Sequence, residues 1–346
     1  MNKITKALLV LAAFAMFATA CGGESSQGVG LVYDIGGRGD QSFNDSAYAG
    51  LERIESELDT SFTEASPNPD GSNRAELLQL AADNSDIVVG VGFLFKDSVI
   101  EVAANNPDVN FAVVDDAMLN ATFDGPAGDN IVGLTFAEEQ GSFLVGAAAA
   151  LKSETDTIGF IGGVCCFGLI EKFEAGYRAG AEAVNPDIEV LSTYITEAPD
   201  FDGFTAPDRA KEIALAQFEG GADIIYHAAG GAGAGMFEAA KEYSEANGTK
   251  VWGIGVDSDQ YNTVDASVQE YVLTSMLKRV DTSVFEIVKT HEDGAFAAGT
   301  QVYDLSVDGV GYSTSGGYLT DIVDKLEDFK AQIIAGDIVV PTVPEE

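Results

Sequence analysis

Two histidines, His227 and His291, are all the imidazole this chain holds. No G-x-S-x-G elbow accompanies them, so Ser-His-Asp hydrolysis lacks its parts. Gly230-Gly231-Ala232-Gly233-Ala234-Gly235 follows a β-rich run and opens a helical one, as a dinucleotide loop does. Counted from Gly231, however, the third glycine of G-x-G-x-x-G falls on Met236, and no G-x-x-x-x-G-K-[ST] occurs. Asp257-Ser258-Asp259 begins like a calcium loop, but Asn262 stands where the turn glycine belongs. Arg38-Gly39-Asp40 reads as a chance tripeptide, and the sequons at Asn44, Asn120 and Asn247 matter only in a glycosylating host. No catalytic residue, metal set or cofactor motif is assigned. What remains is binding chemistry: carboxylates, amides and aromatic rings close behind β-rich runs.

Those runs alternate with helical patterns almost from end to end. Strands are expected at 30–33, 87–91, 111–114, 131–134, 158–161, 190–194, 224–226 and 251–256. Helices are expected near 47–58, 74–82, 142–151, 169–184, 209–218 and 236–246. Such αβ alternation predicts parallel sheets covered by helices on both faces. So many units exceed one ordinary sheet, so two lobes are expected. The small-residue stretch 138–151 offers a first crossing between them, and the region after Val256 a second. The boundaries expected are 29–137 with 258–285 for the N-terminal lobe, and 138–257 with 286–346 for the C-terminal lobe. No internal repeat is visible. Ligands in such sheets lie beyond the carboxyl ends of the strands, so polar residues just after each strand become candidates.

A net charge of −38 is spread through apolar periodic segments rather than gathered in a tail, which fits a folded acidic surface and not a disordered chain. Scarce lysine and arginine argue against nucleic acid as a partner, and the acidity disfavours polyanionic ligands. Such a surface suits high salt, where self-repulsion is screened. Besides Cys21, only the adjacent Cys165 and Cys166 remain, which make no disulfide framework.

Lys3 and Lys6, the apolar run Ala7–Ala20 and then Cys21 describe an export signal over 1–20. The run is shorter than the roughly 20 residues that span a bilayer. Ala18-Thr19-Ala20-Cys21 resembles a bacterial lipobox, with Cys21 as the lipidated residue and 21–28 as a tether.

A family resemblance runs along the rest. Val32-Tyr33-Asp34-Ile35-Gly36-Gly37 with Gln41-Ser42-Phe43-Asn44 is similar to the opening of the basic membrane protein (Bmp) family of lipoproteins. Further matches follow in the family's order. They are Phe111–Asp115, Gly159–Gly163, Phe173–Tyr177, His227–Gly231, Gly255–Gln260 and Ser275–Arg279. The resemblance implies a type I periplasmic-binding-protein fold, two α/β lobes joined by a hinge of three crossings. It also implies a purine nucleoside ligand and an ABC importer. Matched position by position, Phe43 and Phe204 correspond to rings that sandwich the base, and Asp34 and Asn44 to groups that read its edge. Asp115, Gly231, Asp257 and Lys278 correspond to groups that hold the ribose.

The chemistry suits those roles. Base–aromatic stacking is worth about 1–3 kcal/mol. Asparagine offers donor and acceptor, an ionised Asp only acceptors. Carboxylate–hydroxyl bonds are about twice as strong as neutral ones, and a lysine offsets buried carboxylates. Each residue also has a plainer reading: strand-end or capping carboxylates, a core phenylalanine, a structural ion pair, a tight turn. The chain departs from the family pattern in three places: Ala206 before Pro207, Ala232 where threonine is common, and Cys165-Cys166-Phe167 after Gly163. The expected protein is an exported, lipid-anchored, monomeric solute receptor with a nucleoside ligand and an ABC permease partner. The rivals are a receptor of the same fold for a sugar or another neutral metabolite, an exported nucleoside-processing enzyme, and a signalling receptor.

Overall fold

The computed structural model describes residues 28–345. The expected signal segment, Cys21 and all of the tether but Gly28 lie outside the described residues. The chain first lays down β1 (Val29–Val32), α1 (Phe43–Arg53), β2 (Phe62–Ala65), α2 (Arg74–Ala82) and β3 (Ile87–Gly90). α3 (Lys96–Asn105), β4 (Asn110–Val114) and β5 (Ile131–Phe136) follow. It then crosses at Ala137 into α4 (Glu138–Lys152), β6 (Thr157–Cys165), α5 (Ile170–Val184), β7 (Glu189–Glu197) and α6 (Pro207–Glu219). β8 (Ile224–Ala228), α7 (Ala234–Asn247), β9 (Trp252–Asp257), α8 (Gln260–Thr263) and β10 (Val272–Lys278) complete that run. A return at Arg279 gives α9 (Val280–Glu292) and β11 (Gly299–Tyr303), and a last crossing gives β12 (Val310–Tyr312) and α10 (Val323–Ala335).

Two sheets of six strands result, ordered β11-β5-β4-β3-β1-β2 and β12-β10-β9-β8-β6-β7. All neighbours are parallel except β10 and β12. The first five strands of each lobe share one order, a structural repeat that left no trace in the sequence. β1, β3 and β8 are buried at every position. Strands covered on both faces need no polar alternation, which is why they read as unbroken apolar runs.

The expected lobe boundaries need correction. Residues 258–285 do not join the first lobe as a block, because β10 pairs along β9 from Val272↔Gly253 to Leu277↔Asp257. Thr274 and Met276 are buried there, a burial that only the second sheet supplies. Nor do residues 286–346 all belong to the second lobe. α9 packs on α1, and β11 extends the first sheet along β5, from Gly299↔Val132 to Tyr303↔Phe136. The three crossings lie side by side, since Ala137 N–H donates to Tyr303 O at 3.1 Å and Arg279 N–H to Gly309 O at 2.9 Å. Among the described residues no helix is long and apolar enough to cross a membrane.

Candidate functional site

Between the lobes lies a cavity of about 240 Å³. It is walled by Asp34, Phe43, Asn44 and Asp115 from the first lobe, and by Phe204, Gly231, Asp257 and Lys278 from the second. All eight candidate residues thus share one cavity. Asp34 follows β1, Asp115 follows β4, and Asp257 and Lys278 end β9 and β10, so carboxyl ends of both sheets converge on it.

Asp115 and Asp257 occupy left-handed backbone, with φ of 69° and 63°. That conformation costs most residues energy and is tolerated by Asp and Asn, so each strand end turns sharply and aims its carboxyl into the cleft. Lys278, 2% exposed, donates to Asp115 Oδ2 at 2.6 Å and lies 4.0 Å from Asp257 Oδ1. This pair ties one lobe to the other. Asp115 Oδ1 is buried with no partner. A buried orphan acceptor is expensive, so an incoming hydroxyl has something to gain there. Burial opposes the charge on Lys278, but Asp115, Asp257 and Glu138 outweigh it and raise the ammonium's pKa. Burial pushes Asp257 up to about 6 against the pull of Lys278 and Ser42, and Glu138 up to about 7 against Lys172. The Lys278 ammonium also lies over the rings of Phe43 at 4.7 Å and Phe173 at 5.6 Å. The ion-pair reading of Lys278 is thus met, by a lysine whose side chain also lines the cavity.

Phe43 opens α1 and Phe204 closes a short turn after β7; both are half-buried. Gly163 makes room for the second ring, since a Cβ there would lie 2.5 Å from Phe204 Cδ1. Asp40, in the tripeptide set aside as chance, caps α1 by accepting the N–H groups of Ser42, Asn44 and Asp45 at 2.8–3.1 Å. Asn44 uses both ends of its amide inside the lobe, accepting from Asp34 N–H at 2.9 Å and donating to Asp40 at 3.1 Å. It is 3% exposed, so its sequon is closed to glycosylation.

The lobes also meet around the cavity. Ser42 Oγ donates to Asp257 Oδ2 at 2.6 Å, and Ser258 Oγ to Ser42 O at 2.8 Å. Gln260 Nε2 and Thr263 Oγ1 both donate to Gln41 O at 3.1 Å. Gln260 is held by His227 Nε2 at 2.8 Å and Val256 N–H at 3.0 Å. Burial lowers His227 to about 4 despite that bond, so the imidazole stays neutral as a fixed support behind the wall. Beside the cavity, Phe93 of the first lobe stacks on Phe167 of the second (centroids 4.7 Å, 28°) and meets Phe201 edge-on at 5.7 Å. Phe93 and Phe173 line the cavity and were not assigned from sequence. Phe93 lies three residues past β3, where the strand-end rule points; Phe173 sits in a quoted family motif as an apolar helix residue with no chemical mark.

Fold and cavity together define a type I periplasmic solute-binding protein. A solved solute-binding protein of an ABC transporter from Aeropyrum pernix superposes with a TM-score of 0.75 at 27% identity, covering 90% of this chain and 93% of that one. The family model for PnrA-like ABC transporter substrate-binding proteins, Bmp, matches residues 27–343, and the chain belongs to this family. It is 34% identical to the ABC transporter nucleoside-binding protein BmpA of Lactococcus lactis, over 90% of this chain and 88% of that protein. Basic membrane protein A of Borreliella burgdorferi is 32% identical over 100% and 97% of the two chains.

Proposed function

We propose that this chain is an exported, lipid-anchored receptor that captures a purine nucleoside between its lobes and hands it to an ABC permease. The observation that carries the reading is the buried, unpartnered Asp115 Oδ1 beside Lys278, in a cavity that also takes one half-buried ring from each lobe. A sugar diol uses the acceptors of Asp115 and Asp257 and the Lys278 donor; a base fills the space between Phe43 and Phe204. Asp34 serves the base edge, Asn44 holds the Asp34 backbone in place beside it, and Gly231 borders the ligand with backbone alone. The relative from Lactococcus carries nucleoside binding in its name, which supports this ligand class. Closure is a rotation of one lobe on the other about the three crossings, and the closed form docks on the permease.

Calorimetry in high salt with inosine, guanosine, adenosine, cytidine, free hypoxanthine and ribose tests the assignment. Purine nucleosides should bind at least tenfold tighter than either fragment. Ribose or another sugar binding as well as a nucleoside overturns the two-ring reading, and release of free base from inosine makes the protein an enzyme. Metabolic labelling with a fatty acid tests the anchor: label should be lost in Cys21→Ala.

A further inference from the structure

The two oxygens of Asp34 differ. Oδ1 accepts from Ile35 N–H at 2.8 Å and faces Arg74 Nη2 at 3.8 Å. Oδ2 lies against the backbone of Gly92, where an added Cβ would come within 2.4 Å of it. One oxygen is thus committed to the protein, and the carboxyl as a whole lines the cavity. Arg74, the first residue of α2, is not among the residues lining the cavity; its side chain is 14% exposed and its guanidinium lies 5.6 Å from the ring centre of Phe95. Its Nε is buried with no partner. A buried guanidinium with an unsatisfied N–H is costly, and Asp34 is the carboxylate with which it forms an ion pair.

The charged groups that act on Asp34 are Arg74 on α2, Asp40 in the loop after β1, and Asp115 at the end of β4. One cation stands against two carboxyl groups. Burial pushes Asp34 up to about 7, Ile35 N–H and Arg74 pull it down, and Asp115 and Asp40 push it further up. The protonation state decides what the residue reads. An ionised carboxyl only accepts, while a protonated one presents an O–H donor. A 6-oxopurine carries a hydrogen on ring nitrogen N1; a 6-aminopurine carries a lone pair there.

We propose that Arg74 is a positioning and specificity-determining residue. It draws Asp34 toward its charged form, with Oδ1 turned inward and Oδ2 left to the ligand, and so makes the site select 6-oxopurine nucleosides over 6-aminopurine nucleosides. The inference rests on the cleft being a nucleoside site. No contact between Arg74 and the ligand is required, which separates its role from those of the wall residues.

The experiment is calorimetry of the full chain with inosine and adenosine between pH 5.5 and 8.5, on the natural protein, Arg74→Met and Arg74→Lys. The natural protein should favour inosine at least tenfold at pH 8, with the ratio narrowing as pH falls through about 7 and Asp34 takes up a proton. Arg74→Met should move that narrowing to higher pH and flatten or reverse the ratio at pH 7.5. Arg74→Lys, which keeps the charge, should restore most of the ratio. An unchanged ratio and pH profile in Arg74→Met overturns the inference, as does equal, pH-independent binding of both ligands by the natural protein. Failure of the natural protein to bind any nucleoside instead sinks the parent reading. If Arg74→Met does not fold, Arg74→Gln decides: a flattened ratio with the narrowing moved to higher pH supports the inference, and an unchanged ratio and profile overturns it.

Discussion

Exchanging Asp115 for asparagine separates the turn this residue makes from the charge it carries. The left-handed backbone at φ 69° accepts asparagine, so the strand end keeps its shape. Lys278 at 2.6 Å from Oδ2 still needs an acceptor and fixes which way the amide faces. The carboxamide oxygen turns to the lysine, and the NH₂ group takes the place of the buried, unpartnered Oδ1. A sugar hydroxyl that donated to a carboxylate oxygen there must now accept from a neutral N–H. Hydrogen bonds to charged groups contribute about 1.5–3 kcal/mol and neutral ones about 0.5–1.5. The exchange therefore costs about 1–2 kcal/mol, or roughly 5–30-fold in affinity. Calorimetry with a ribonucleoside and its 2′- and 3′-deoxy forms reads this directly. Asp115→Asn should weaken the ribonucleoside by that factor and shrink its advantage over at least one deoxy form to match. An unchanged affinity and an unchanged ratio would refute the assignment of Oδ1 to the sugar.

Phe204→Ala should weaken purine nucleosides tenfold or more, on the order of 1.4 kcal/mol, in equilibrium titration. Gly163→Ala pushes on the same ring from behind and should lower affinity in the same assay. Asp34 ionises at about 7 in the folded chain against 3.8 ordinarily, so it holds its proton longer folded than unfolded. Its contribution to stability is intact below about pH 4 and falls as pH rises to about 7, by roughly 4 kcal/mol in all. Asp34→Asn should therefore melt above the natural protein at pH 8 and level with it near pH 4 in thermal scans without ligand. Phe167→Ala removes a stacked interlobe pair worth about 0.5–1.5 kcal/mol. In stopped-flow displacement it should speed ligand release several-fold with little change in the association rate.

Much of this architecture was written in local pattern. Runs such as Ile87-Val88-Val89-Gly90 read as doubly covered strands and are, and α2 falls on the residues expected to be helical. What local pattern does not carry is partnership. The run Val272–Lys278 is strand-like whichever sheet it enters, and its membership is decided by the edge of β9, which no nearby residue encodes. β11 is harder still: Gly299-Thr300-Gln301-Val302-Tyr303 is half-exposed at a sheet edge and has little apolar signature. For the site, the family resemblance supplied eight residues, and the structure brings all eight to one cavity. The supports behind them were not legible. Arg74 and Gln260 look like ordinary surface residues of short helices until folding sets one behind Asp34 and the other between His227 and Gln41. Phe167, part of the departure from the family pattern, shows its purpose only when Phe93 arrives from the other lobe.

Lys278 is the last residue before the chain passes between the lobes at Arg279. Points beside a pivot travel little while those at the far edge sweep widely. Under the proposed rotation the polar pair at Lys278 therefore changes least, and contacts made away from the crossings, such as Phe93 on Phe167, change more. The lobes stay tied at the Lys278–Asp115 pair while the Phe93–Phe167 contact parts and re-forms, so one end of the cleft serves as an anchor and the other as a door.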